Sequence, residues 1–338
     1  VHVLKADGGT MPLSLSRERP VESILSGPAA SVMGIMALSQ PAEDCAILDI
    51  GGTTTDIAVF AEGSPVMERH GITLGSYPTL VRALKTVSIG IGGDSRVRIV
   101  DRRPVVGPDR EGPPMAKGGS KPALMDAFNY LGVTSFGDRD ASRTGIEKLA
   151  ALWDMFPDKL ARAAVDYAVR AVNDAVEDMV WDLNQRPVYT IHELLEGREV
   201  RPRRLYLMGG PAKAFQKELA RVSDKDVTVP KNYGVANAIG AALTRTTMEL
   251  ELFADTEKRL LFIPNLGLEK QISARYSLED AEKEARERLK ERMRELGVYD
   301  PEAEAEITES ESFNMVDLFG GGGRNIRVKC QVLPGIAR

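Results

Sequence analysis

The sequence has 338 residues, 43% of them hydrophobic and 28% charged, with a formal charge of −5. Such a chain can bury a core under a polar surface, which excludes disordered, collagen-like and fibrous classes. Its apolar runs fall short of the ~20 residues that span a bilayer, and no net positive field favours nucleic acid or an anionic membrane. Two cysteines, Cys45 and Cys330, are too few to staple a chain of this size and fit a reducing, cytoplasmic setting. Three histidines, His2, His70 and His192, lack metal-ligand spacing.

No secretory signal is visible. The chain enters at Val1 on an apolar stretch, which reads as the interior of a longer polypeptide, a processed subunit or a cut chain. Asp7-Gly8-Gly9-Thr10 sets a carboxylate beside two glycines. Ser26-Gly27-Pro28 precedes a stretch rich in Ala, Met and Val, and proline is favoured in a first helical turn, so a helix is predicted over 28–38. Its N-terminus could face an anion. Within 45–60, the apolar runs CAILDI and DIAVF flank Gly-Gly-Thr-Thr and predict a hairpin, with a third strand over 65–73.

Residues 104–122 hold five prolines and four glycines and predict a loop, either a lid or a mobile connection. From Pro157 to Gln185, Leu160, Ala164, Tyr167, Ala171, Ala175, Met179 and Leu183 recur at helical spacing. Arg204 to Met208 predicts a short strand running into Gly209-Gly210-Pro211, and 226–229 another. Residues 233–249, small and apolar, predict a closely packed helix. Ser277 can cap a charged helix over 277–296, stopped by Gly297, with one narrow stripe from Leu278 to Leu296 and otherwise solvated faces. Asn325 to Leu333 predicts a closing strand.

The strongest chemical signal is Asp49-Ile50-Gly51-Gly52-Thr53-Thr54-Thr55-Asp56. An apolar strand delivers Asp49 to a turn of glycines and threonines. Glycines let backbone N–H groups approach a phosphate, threonine hydroxyls add donors, and a carboxylate at the strand end can hold a hydrated Mg²⁺. The glycine pair Gly209-Gly210 after a strand lets a flat ring approach the backbone. Ser88 to Ser95, SIGIGGDS, does not meet the dinucleotide fingerprint, and no P-loop, nucleophile elbow or CxxC occurs.

The ordered series ADGGTM (6–11), RPVESILSGPAASVMG (19–34), LDIGGTTTDIAVF (48–60), SIGIGGDS (88–95), LMGGPA (207–212) and VPKNYGVANAIGAA (229–242) resembles the hydantoinase A/5-oxoprolinase family over residues 1 to about 245. The resemblance implies the actin, hexokinase and heat-shock-chaperone superfold. The expected architecture is an α/β, ribonuclease-H-like lobe over 1–250, a mixed sheet with flanking helices and an insertion at about 100–200. An α+β extension follows over 251–338. It implies ATP and Mg²⁺ as cofactors and ATP-dependent hydrolysis of cyclic amides such as hydantoins or 5-oxoproline through activation of the amide oxygen. A small-molecule kinase, an ATPase subunit or activator, and a ketone carboxylase subunit are alternatives on the same fold.

By resemblance, Asp49 holds the Mg²⁺ water, and Gly51, Gly52, Thr53 and Thr54 contact phosphate. Asp56 orients the loop or a metal water, and Gly209 and Gly210 line the adenine site. Asp7 is a candidate general base or metal-site group. Gly92, Gly93 and Asp94 either face the substrate or stabilise the cleft. Two departures matter. No counterpart of the family's first phosphate loop precedes Asp49, so the chain looks like the second lobe, with an unlike subunit or an N-terminal lobe as its expected partner. Asp94 also stands where many relatives carry a third glycine.

Overall fold

The computed structural model describes residues 1–68, 71–74, 76–185, 199–298, 304–315 and 323–337; His70 and His192 lie outside them. The chain divides into two units, residues 1–26 with 243–338, and residues 27–242. The sequence places a boundary near 250; the structure groups the first 26 residues with the C-terminal part.

In the first unit, β1 (His2–Leu4) and β2 (Thr10–Pro12) pair antiparallel and lead into α1 (Leu13–Glu18). The second unit opens on α2 (Ser26–Ser39), which contains the predicted helix. β3 (Cys45–Ile50) and β4 (Thr55–Ala61) form the predicted antiparallel hairpin, with Asp49 opposite Asp56. The third strand predicted over 65–73 is present only in part among the described residues. β5 (Ser64–Pro65) pairs antiparallel with β4, while β6 (Thr73–Leu74) pairs with β7 (Tyr77–Pro78); Gly71, at φ +77°, turns the chain just before β6. The strand that flanks β4 beside the hairpin turn is β8 (Thr86–Ile89).

The insertion holds the hairpin β9 (Val97–Val100) and β10 (Arg103–Val106), then α3 (Leu124–Tyr130), α4 (Arg139–Leu152) and α5 (Pro157–Asn184). The Gly/Pro-rich segment is no free lid at its base. The buried Asp126 carboxylate accepts the Met115 and Ala116 N–H groups at 2.8 and 2.9 Å. α5 buries Leu160, Ala164, Ala168, Val172 and Val176 at four-residue spacing, with a parallel row at Ala161, Val165 and Val169. Tyr167, expected on the buried stripe, is exposed.

β11 (Arg204–Met208), α6 (Ala212–Val222), β12 (Asp226–Thr228) and α7 (Ala236–Leu243) complete this unit. The sheet runs β12-β11-β3-β4-β5, with β8 also on β4. β12, β11 and β3 are parallel and β4 is antiparallel, so the mixed sheet with flanking helices is present. Leu48, Ile50, Ile57, Val59, Leu205 and Leu207 are fully buried in its core, with the tilted rings of Phe128 and Phe215 5.1 Å apart between centroids. Burying such side chains contributes about 1.5–3 kcal/mol each before entropy is counted.

The predicted helix over 233–249 is shorter. α7 stops at Leu243, because Thr244 and Thr246 enter β-bridges with Ile336 and Thr10 in the first unit. The first unit then forms a five-stranded antiparallel sheet, β15-β14-β13-β17-β16, from β13 (Glu249–Asp255), β14 (Leu260–Ile263), β15 (Leu268–Gln271), β16 (Ala305–Asn314) and β17 (Arg324–Val332). The charged helix α8 (Leu278–Glu295) is capped by Ser277 and buries Ala281, Ala285, Leu289 and Met293 in the same core cluster as Leu252 and Val328. No helix among the described residues is long and apolar enough to cross a membrane.

Candidate functional site

Residues paired across a sheet project to the same face. Met208, Asp49, Asp56 and Ser88 are paired in sequence across β11, β3, β4 and β8. The row places both carboxylates on one face, at the end of the sheet where the Gly51–Thr54 turn begins. The turn closes on itself: the Gly51 N–H donates to the Thr54 carbonyl at 2.9 Å. Thr55 is buried, and its hydroxyl donates to the Ile91 carbonyl at 2.7 Å; Thr53 and Thr54 are half-buried.

A second layer holds this turn. The Gly93 N–H donates to the Gly51 carbonyl at 2.9 Å and the Asp94 N–H to the Gly52 carbonyl at 2.6 Å. A Cβ on Gly92 would meet the backbone of Gly52 and Thr53 at 2.6 Å. Gly92, Gly93 and Asp94 thus pack directly against the turn. Gly209, at φ +87°, lies against the end of β3, where a Cβ would approach the Ile50 carbonyl oxygen to 2.2 Å and Asp49 Oδ1 to 2.8 Å. Gly210 is exposed and faces open space. The structure therefore brings Asp49, Asp56, the Gly51–Thr54 turn, Gly92 to Asp94 and Gly209 together in one unit.

Two residues to which the sequence assigns no role hold Asp49. The buried Ser31 donates its hydroxyl to Asp49 Oδ2 at 2.5 Å, and Asn237 donates from Nδ2 to the same oxygen at 3.2 Å. They come from α2 and α7, whose backbones touch. A Cβ on Gly34 would lie 2.3 Å from the Ala236 carbonyl oxygen, and one on Gly240 2.4 Å from the Gly34 nitrogen. Glycine at both positions permits this crossing. Both residues sit in segments that carry the family resemblance, but their partner is 18 and 188 positions away, so no local spacing points to it.

Three carboxylates surround the turn. Burial pushes the Asp56 carboxyl up; a hydrogen bond from Ser88 opposes the rise and the Asp49 charge adds to it. Burial also raises Asp94, against the lowering effect of Arg110, whose guanidinium lies 2.8 Å from Asp94 Oδ2. Arg110 belongs to the Gly/Pro-rich segment, which gave no sequence signal for this role.

Asp7 belongs to the first unit. Its Oδ2 is 3.0 Å from Lys5 Nζ and accepts the Thr247 hydroxyl at 3.2 Å, while its Oδ1 accepts the Gly9 N–H at 2.8 Å. Both oxygens are thereby engaged in the turn between β1 and β2.

Among the described residues, no group of three or more His, Cys, Asp or Glu is placed to hold a metal by itself. A hard cation such as Mg²⁺ ordinarily keeps several waters and binds through one or two carboxylates and phosphate oxygens. Asp49 beside a glycine-lined turn fits that donor set, and Asp56 is the second carboxylate on the same face. The turn itself, with Gly51 and Gly52 carrying no side chain, fits a phosphate.

Residues 1–250 match the family model described as hydantoinase/oxoprolinase. The chain is 25% identical over 268 residues to an uncharacterized protein of Methanocaldococcus jannaschii, covering 72% of this chain and 38% of that protein. It is 27% identical over 274 residues to the caprolactamase subunit alpha of Pseudomonas jessenii, covering 75% and 38%. The chain thus spans less than half the length of these relatives. Among solved structures, a nucleotide-free acetone carboxylase matches 98% of this chain and 52% of its own, at a TM-score of 0.65 and 16% identity. That likeness shows the fold.

Proposed function

The chain belongs to the hydantoinase/oxoprolinase family, and from that premise we propose that it is the nucleotide-binding part of an ATP-dependent enzyme that opens cyclic amides. One observation carries the reading: the Gly51–Thr54 turn is braced by backbone hydrogen bonds from Gly93 and Asp94 and directly follows the strand that carries the Asp49 carboxylate. Its similarity to a caprolactamase subunit favours a cyclic amide as the substrate class.

Each residue then has a stated task. N–H groups of Gly52 to Thr54 and the Thr53 and Thr54 hydroxyls hold phosphate oxygens, and Gly51, without a side chain, lets them approach the turn. Asp49 holds a Mg²⁺ water, and Asp56, on the same face, orients that water or the loop. Gly210, with open space before it, lies against the adenine, and Gly209 lets the chain turn there. ATP, when bound, supplies the phosphoryl group that makes an amide oxygen a leaving group, released as phosphate. Catalysis by this chain is then positioning and charge neutralisation. Gly92, Gly93 and Asp94 brace the turn, and Asp7, paired with Lys5 and the Gly9 N–H, holds the first unit's turn. An unlike subunit or an N-terminal lobe works with this part of the protein, in keeping with the subunit name of the caprolactamase relative. The cytoplasm, which holds ATP and reduced thiols, is the compartment this reading requires.

The test is calorimetry of Mg·ATP binding to the intact protein, then phosphate release with caprolactam, hydantoin and 5-oxoproline. Binding that weakens at least about 10-fold in Asp49→Ala, with phosphate release stimulated by one of these amides, supports the reading. No nucleotide binding by the intact protein overturns it, and release stimulated by a ketone but by no amide replaces the substrate class.

A further inference from the structure

Asp49 is held asymmetrically. Both of its side-chain donors, Ser31 Oγ at 2.5 Å and Asn237 Nδ2 at 3.2 Å, converge on Oδ2. The other oxygen, Oδ1, faces Gly209, where a side-chain carbon would come within 2.8 Å of it. We propose that Ser31 and Asn237 are positioning residues that fix the Asp49 carboxylate by Oδ2 and leave Oδ1 as the oxygen that serves the cation accompanying a nucleotide. The inference rests on the nucleotide-binding reading of this site.

Three independent features point the same way. A carboxylate at a strand end that served packing alone would need neither donor, since it is half-buried and open to water. Ser31 is buried in α2, and its hydroxyl also lies 3.2 Å from the Gly27 carbonyl, the ordinary i−4 partner of a helical serine. Its one proton is closer to the charged acceptor, which makes the stronger bond. The donors arrive on two helices that cross in backbone contact at Gly34, Ala236 and Gly240. Ser31 lies one turn before Gly34 and Asn237 directly after Ala236, so the crossing itself sets the distance between the donors and Asp49.

Partners that orient a metal-facing group typically matter about 10–100-fold in metal affinity. The probe is ADP, titrated into the intact protein with Mg²⁺ and with EDTA in its place, for Ser31→Ala and Asn237→Leu. Alanine is a strong helix former, and Asn237 is exposed, so both variants should fold; thermal unfolding checks this. The expected result is a loss of about 10–100-fold in Mg²⁺-dependent ADP affinity, with affinity in EDTA and the melting temperature little changed. Unchanged Mg²⁺-dependent affinity in both variants overturns the positioning role while leaving the nucleotide reading intact. An equal loss with and without Mg²⁺ also overturns it, because that pattern belongs to direct nucleotide contact or general damage. Absence of ADP binding by the unsubstituted protein removes both.

Discussion

Asp94 stands in the space that a side chain on Gly52 would need. Its N–H donates to the Gly52 carbonyl at 2.6 Å, and its Oδ2 lies 2.6 Å from where a Cβ at residue 52 would be built. The turn that the sequence marks as phosphate-binding is therefore half of a two-layer structure, whose second layer is a glycine-rich segment some forty residues away.

Gly92→Ala is expected to destabilise the protein by about 1–3 kcal/mol, since its Cβ would press on the Gly52 and Thr53 backbone at 2.6 Å, where no flexible side chain can give way. Gly210→Ala, which meets nothing within 4 Å, should change stability by less than about 0.5 kcal/mol. Urea unfolding of the two variants checks the contrast. If Gly210 lies against the nucleotide, Gly210→Ala weakens ATP binding in a protein that unfolds normally.

Burial is the leading cause that raises the Asp56 carboxyl above its ordinary value of 3.8. The folded protein thus binds this proton more tightly than the unfolded chain. The associated stability is complete below pH 3.8 and is lost as pH rises through the folded value. Asp56→Asn keeps an acceptor for Ser88 and removes the charge, so its melting temperature should exceed that of the unsubstituted protein at pH 7. The gap should narrow as pH falls toward 4. Equal melting temperatures at pH 7 would show that Asp56 carries no burial penalty.

Asp126 is fully buried and accepts N–H groups of Met115, Ala116 and Ala123 and the Ser142 hydroxyl, all at 2.7–2.9 Å. Asp126→Ala orphans three backbone donors, those of Ala116 and Ala123 buried and that of Met115 partly so, at about 1–3 kcal/mol for each that water cannot reach. A loss of at least about 3 kcal/mol in denaturant unfolding is expected. In the surviving folded fraction, protease cleavage between residues 107 and 122 should accelerate. Unchanged cleavage would mean that the segment is held elsewhere.

Local chemistry made the β3–β4 hairpin legible. The apolar runs CAILDI, ending at Ile50, and DIAVF, from Asp56, leave the Gly-Gly-Thr-Thr turn between them little choice, and strand pairing then sets Asp49 opposite Asp56. The cap on α8 was readable for the same reason, since Ser277 and Asp280 bond each other's backbone within one turn. The end of α7 was not. Residues 244–249 follow the small apolar run without a Gly or Pro stop, and the bridges of Thr244 and Thr246 to chain far away in sequence end the helix at Leu243.

The sequence by itself determined the Gly51–Thr54 turn, the helices near it and the family, because these depend on residue types at short spacing and on their order. The tertiary structure alone decided who holds Asp49, what braces Gly52 and what fixes the Gly/Pro-rich segment. Ser31, Asn237, Asp94 and Asp126 act through partners reached only after the sheet has formed and α2 has crossed α7. A hydrogen bond constrains atoms a few ångströms apart, and nothing in the order of residues records which distant atoms those will be.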